Sequence, residues 1–168
     1  MSAIPAVDPT RERGRVTGAL HRFGMSRAGR WYGIHIGSRI DPPLLRLTRG
    51  RFATTSFFPL LLLHVRGRRS GELRTVTLVY FTDGGEVILV ASSFGRPSHP
   101  AWFHNLMASD EVELEAGGVT AAYRPRLTEG EERARLYELA RRNYAGYGSY
   151  EAMAGEREIP VVALAPVV

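Results

Sequence analysis

The sequence predicts a small antiparallel β-barrel with helices packed outside it, and three observations carry the prediction. Apolar runs of strand length recur between residues 57 and 127 and again at 159–164. Several are joined by short glycine-containing turns, at Gly67–Gly71, Asp83-Gly84-Gly85 and Gly117-Gly118, as antiparallel neighbours are. Helical stretches are few and no strand–helix–strand repeat occurs, which argues against a parallel sheet.

In chain order, residues 1–10 contain Pro5, Pro9 and few large apolar groups, and read as disordered. Residues 11–40 mix arginine and glycine with Leu20, Phe23, Trp31 and Tyr32, compatible with one or two short amphipathic helices. Asp41-Pro42-Pro43 reads as a helix start. Phe57–Val65 is a continuous apolar run and reads as a buried strand, with Leu73–Phe81 the second and Glu86–Ala91 the third. Pro100–Ala108 reads as a short helix with its proline in the first turn. Glu111–Glu115 alternates acid with Val and Leu, a strand with one wet face, and Val119–Leu127 follows. Thr128-Glu129-Gly130-Glu131 has the spacing of a capping box ahead of a helix over Glu131–Tyr144. Tyr147–Ala154 is a second short helix, and Ile159–Leu164 closes as a strand.

The chain has 168 residues, 44% of them hydrophobic and 23% charged, enough for one domain with a real core. It has no cysteine, so disulfides and thiolate chemistry are excluded and a cytoplasmic setting is expected. All 22 basic residues are arginine, which excludes Schiff-base lysine chemistry and a P-loop lysine. The net charge of +5 resides in residues 1–50, where nine arginines face three acids, whereas residues 51–168 hold 13 arginines against 14 acids. We therefore expect an Arg-rich extension over 1–50 and the folded body over 51–168. No apolar run is long enough to span a membrane, and no secretory signal is expected. The five histidines lack metal-ligand spacing with carboxylates, and no metal is expected.

The most informative stretch is Gly67-Arg68-Arg69-Ser70-Gly71-Glu72-Leu73-Arg74. Backbone donors and guanidinium forks in one turn suit a phosphate or carboxylate, although the same residues could form an ordinary solvated turn. It is the first of four motifs. Val90-Ala91-Ser92-Ser93 with Gly95 follows, then His99-Pro100-Ala101-Trp102-Phe103-His104-Asn105-Leu106, then Arg157-Glu158-Ile159-Pro160-Val161-Val162. In this order, over roughly residues 55–168, they resemble the deazaflavin-dependent nitroreductases, quinone reductases that use coenzyme F420.

The resemblance implies a split β-barrel, related to the flavin-binding ones, that binds reduced F420 and passes its hydride to a quinone, enone or nitroaromatic. It assigns Arg68, Arg69, Ser70 and Arg74 to the phosphate and oligoglutamate end of the cofactor. Thr75, Val76, Thr77, Leu78 and Val79 line one side of the cofactor, as do Val90, Ala91, Ser92 and Ser93. Ala101, Trp102, Phe103, His104 and Asn105 close the other side. Tyr144, Tyr147 and Tyr150 border the acceptor, with Tyr147 nearest the ring, and Ser92 and Tyr147 are the candidate proton or hydrogen-bond donors. Read without the resemblance, Trp102 and Phe103 are core residues, Asn105 a loop brace and the tyrosines a packing edge.

Ser93-Phe94-Gly95 departs from the family pattern of a basic or amide residue followed by glycine, and Arg69 replaces a frequent lysine. An FMN-dependent reductase and an F420-storing protein without turnover are the alternatives. The basic N-terminus could touch anionic lipid as a peripheral contact; it lacks a nucleic-acid recognition motif. Either a monomer or a homodimer fits the sequence.

Overall fold

The structure is a computed structural model that describes residues 3–10, 40, 43, 47, 48, 58–144 and 146–167. Six strands form a closed barrel: β1 (Leu60–Arg66), β2 (Leu73–Asp83), β3 (Glu86–Val90), β4 (Val112–Ala116), β5 (Val119–Leu127) and β6 (Val161–Pro166). Their order around the barrel is β1-β2-β3-β6-β5-β4, and every neighbouring pair is antiparallel. Beyond residue 58, the α-helices among the described residues are α1 (Ala101–Leu106), α2 (Gly130–Asn143) and α3 (Gly146–Ala154). Ile40, Pro43 and Leu47 are helical, so a helix lies in this stretch as expected, but Ile40, one residue before the expected start at Asp41-Pro42-Pro43, is already part of it. The rest of that stretch and the helices expected within 11–40 lie outside the described residues, apart from Ile40.

Strand alternation sorts the apolar residues onto two faces. Leu61, Leu63 and Val65 of β1, Val87 and Leu89 of β3, Leu114 of β4, and Val162 and Leu164 of β6 fill the barrel. Phe81, Ile88, Val90, Val161 and Ala163 face outward beneath Leu136, Tyr137 and Ala140 of α2 and Tyr147, Tyr150 and Ala154 of α3. The continuous apolar runs of the sequence follow from this arrangement, since parts of β2, β3 and β6 are covered on both sides. Both two-residue hairpin turns are built from glycine pairs with positive φ, Gly84-Gly85 (57° and 86°) and Gly117-Gly118 (59° and 80°), the geometry that matches strand twist.

Three local expectations are corrected. Residues 3–8 are seated on the barrel. Ile4 is 5% exposed within the interior cluster, and the Ile4 N–H donates to the Tyr123 hydroxyl at 3.2 Å. The Tyr80 hydroxyl donates to the Pro5 carbonyl at 2.9 Å, and Val7 exchanges hydrogen bonds with Thr82. Side-chain partners satisfy an extended backbone that sequence pattern marks only as polar and proline-rich. Burial, with Tyr123 beside it, pushes the Tyr80 phenol up to about 12, so it remains a donor.

The capping box does not form. Glu129 is the N-cap with no side-chain cap bond, and Thr128 instead gives its hydroxyl and its N–H to the Val161 carbonyl at 2.9 and 3.1 Å. The last strand starts at Val161 rather than Ile159, because Ile159 packs with the helices and Pro160 has no N–H to offer a ladder. The Pro160 carbonyl still accepts from Ala91 N–H at 2.9 Å.

The two barrel ends are closed differently. Pro5 lies against Gly117, so the N-terminal segment covers the end with the β4–β5 hairpin. At the opposite end α1, between β3 and β4, inserts Phe103 and Leu106 into the interior cluster.

Candidate functional site

The arginine-bearing turn connects β1 to β2 at the α1 end of the barrel. It is closed by Gly67 N–H to Glu72 O at 2.9 Å and Gly71 N–H to Gly67 O at 2.7 Å. A Cβ on Gly67 would lie 2.6 Å from Ser70 Oγ, so glycine is required by close approach, and Gly71 is left-handed at φ 69°. Arg68, Arg69 and Ser70 are exposed. Arg74 is also exposed and pairs with Glu72 at 3.0 Å, while Arg66 donates to the Gly71 carbonyl at 3.1 Å. Asn105 of α1 accepts from the Arg68 N–H at 3.1 Å. That bond joins the first and third motifs and gives Asn105 the bracing role that its residue type suggested.

The next feature is a split in the sheet. β2 pairs with β1 over Leu73–Val79 but with β3 only over Tyr80–Asp83. The β3-facing edge of Leu73–Val79 therefore has no partner in β3. Alternation sends Val76 and Leu78 toward the barrel interior, where Leu78 packs, and Thr75, Thr77 and Val79 outward, in phase with Phe81. Of the five lining residues expected here, three thus offer side chains to the outer face. The Thr77 hydroxyl is buried and makes no hydrogen bond among the described residues. A buried hydroxyl without a partner is costly, which marks this face as a place where an external polar group fits. Thr75 Oγ1 lies 3.0 Å from His64 Nδ1, and His64 Nε2 lies 3.2 Å from Glu115.

The Ser92–Gly95 loop follows β3. Ser92 is right-handed, but Ser93 (φ 52°), Phe94 (φ 55°) and Gly95 (φ 76°) are all left-handed. Gly95 is pressed against α3: a Cβ there would sit 2.6 Å from Met153 Cβ. Phe94 meets the Tyr150 ring edge-on at 5.8 Å and remains 39% exposed.

The tyrosines adjoin this loop and the outer face of β2. Tyr144 meets Phe58, just before β1, edge-on at 4.8 Å. The Tyr144 and Tyr150 hydroxyls are 2.9 Å apart, and Tyr147 packs against both of their rings at centroid distances of 5.0 and 6.2 Å. Tyr147 is 6% exposed. Burial, reinforced by Tyr144 and Tyr137, raises its phenol far above the ordinary range, so the group is held protonated.

The fold thus draws the four motifs and the tyrosines together along one side of the barrel. Val90 faces α2 and α3, Ala91 and Phe103 face the interior, Trp102 packs partly against it, and Ala101 and His104 stay on the α1 surface. Sequence reasoning gave no role to Arg157, which donates to the Ser92 and Arg96 carbonyls, or to the His64–Glu115 pair beside Thr75. Between Glu156 and Glu158, Arg157 reads as a solvated charge; its carbonyl partners lie about 60 positions earlier and leave no local signal. Among the described residues, no group of three His, Cys, Asp or Glu is placed to hold a metal.

The family model described as F420H(2)-dependent quinone reductase matches residues 39–166. An F420H(2)-dependent quinone reductase of Mycobacterium tuberculosis is 37% identical over 145 residues, spanning 80% of this chain and 95% of that protein. A solved structure of an F420-H2 dependent reductase superposes with a TM-score of 0.58 at 34% identity, covering 63% of this chain and 93% of its own. A second solved chain, described as a domain-swapped dimer, gives 0.59 at 31% identity, covering 73% and 94%. The barrel is the split-barrel fold of these reductases.

Proposed function

Because the chain belongs to the F420H(2)-dependent quinone reductase family, we propose that it is an oxidoreductase that binds reduced F420 and reduces a quinone. The observation that carries this reading is the outer face of β2 at the split, with arginines at its start and tyrosines near its end. The residues suit the cofactor. Exposed Arg68 and Arg69 offer forks to a phosphate and carboxylate tail, and Arg74 can exchange Glu72 for it. The orphaned Thr77 hydroxyl faces outward where a planar ring with polar edges would lie.

The reduced deazaflavin supplies, when bound, the hydride at its C5 carbon. The protein's part is to hold the acceptor over that carbon, exclude water and deliver a hydrogen-bond donor to the acceptor oxygen as it gains charge. Ser92 and Tyr147 are the two residues proposed for that donor. The family description names F420, and no observation favours FMN. Consumption of F420H2 with menadione tests the proposal; tight F420 binding without turnover would instead indicate storage. Enones and nitroaromatics are further acceptors for the same assay.

Arg68→Ala and Arg74→Ala are each expected to weaken F420 binding by about 1.5–3 kcal/mol, the scale of a charge-assisted hydrogen bond, with a smaller loss at high salt. Fluorescence quenching on titration measures this, and unchanged affinity in both variants would remove the turn from the site.

We further propose that residues 51–168 make every cofactor contact and that the basic N-terminal region meets anionic lipid. Among the described residues no helix is long and apolar enough to cross a membrane. Co-sedimentation with phosphatidylserine vesicles is expected to fall as salt rises. No retention at low salt would refute the lipid contact.

A further inference from the structure

The loop joining β3 to α1 is held by one guanidinium from the far end of the chain. Left-handed backbone at two successive non-glycine residues, Ser93 and Phe94, is unfavourable, so the conformation needs outside support. Arg157, between α3 and β6, supplies it. Its Nη2 donates to the Ser92 carbonyl at 2.7 Å and its Nε to the Arg96 carbonyl at 3.0 Å. Its Nη1 lies 3.0 Å from His99 Nδ1 and 3.5 Å from the Ala91 carbonyl.

An arginine can only donate, so His99 Nδ1 must be the acceptor. The ring is therefore neutral, with its proton on Nε2. Protonating His99 would set two donors face to face.

We infer that Arg157 and neutral His99 form a latch that positions the Ser92–Ser93 loop beside the split, and that protonation of His99 releases it. Both are positioning residues, and the effect on turnover rests on the proposed reductase reading. The groups facing His99 are consistent with release at mildly acid pH. Arg157 approaches from the α3–β6 connection, and His104 of α1 stands with its ring 5.9 Å away. Arg96 shares the loop, Phe103 is apolar, and no carboxylate pairs with His99 among the described residues. Burial, then Arg157, then His104 hold the imidazole below its ordinary value of 6.5. The folded state therefore takes up its proton later than the unfolded chain. The latch's contribution is complete above that ordinary value and declines as pH falls below it.

The test uses the full chain without cofactor. Hydrogen exchange of the Phe94–Arg96 amides, corrected for intrinsic rate, is followed between about pH 7.5 and about pH 5.5. The wild type is expected to lose roughly tenfold protection across that window. His99→Asn keeps a neutral acceptor near the Nδ1 position and should remove the pH dependence; Arg157→Lys, which lacks the fork, should exchange fast at both ends. In F420H2–menadione turnover, the wild type should show an acid limb that His99→Asn abolishes. A wild-type loop protected equally at both pH values, or an acid limb retained in His99→Asn, overturns the latch. If the exchange pattern holds but no variant consumes F420H2, the latch stands and the reductase reading fails. If Arg157→Lys does not fold, the comparison of wild type with His99→Asn still decides.

Discussion

Tyr147→Phe is expected to lower kcat by about ten- to a thousandfold while F420 affinity changes little. The phenol is buried and stays protonated because burial disfavours the phenolate. Such a group can donate to an oxygen that gains charge, and it stabilises that charge most where water is excluded. Tyr150 is the control. Its hydroxyl meets that of Tyr144 at 2.9 Å and its ring packs on Phe94, so Tyr150→Phe should chiefly affect stability. Steady-state rates with a quinone, F420 affinities and melting temperatures separate these effects. If Tyr147→Phe turns over like wild type while Ser92→Ala does not, the donor is the serine and the tyrosines form only the pocket wall. If neither matters, the proton comes from water.

Ile4→Ala is expected to destabilise the protein by about 2–5 kcal/mol, the range for deleting a buried aliphatic side chain. For a chain of this size that is roughly a 5–15 °C fall in Tm. Ile4 plugs the barrel end opposite α1 and touches the cluster that includes Tyr80 and Tyr123. Removing residues 1–10 should cost more than Ile4→Ala, because the Tyr80 and Tyr123 hydroxyls then lose Pro5 and Ile4 as partners. Equal melting temperatures for wild type and Ile4→Ala would mean that the segment is not seated in solution. The result also bears on truncation: a shortened chain that starts at residue 51 would lose this plug, so weakened F420 binding by such a protein must be judged against its stability.

The fold was legible because its determinants are local. Gly84-Gly85 and Gly117-Gly118 specify tight hairpins by their left-handed φ values, and the alternation in Val112–Ala116 specifies a half-wet strand. The four motifs kept their order and spacing, enough to place the chain in its family without coordinates. The Thr128–Glu131 spacing misled because a hydroxyl can bond to any carbonyl brought near it, and β6 brought Val161.

Residue types and their periodicity therefore determined the strand set, the barrel class and the arginine turn, and the resemblance carried by the motifs implied the cofactor class. Tertiary structure decided what depends on distant partners. It seated residues 3–8 in the barrel mouth, opened the sheet beyond Tyr80, turned Val76 and Leu78 inward and set Arg157 onto the loop after β3. The physical reason is range. Turn geometry and strand alternation are set within a few residues, whereas hydrogen bonds between groups 60 to 120 positions apart exist only after the barrel has closed.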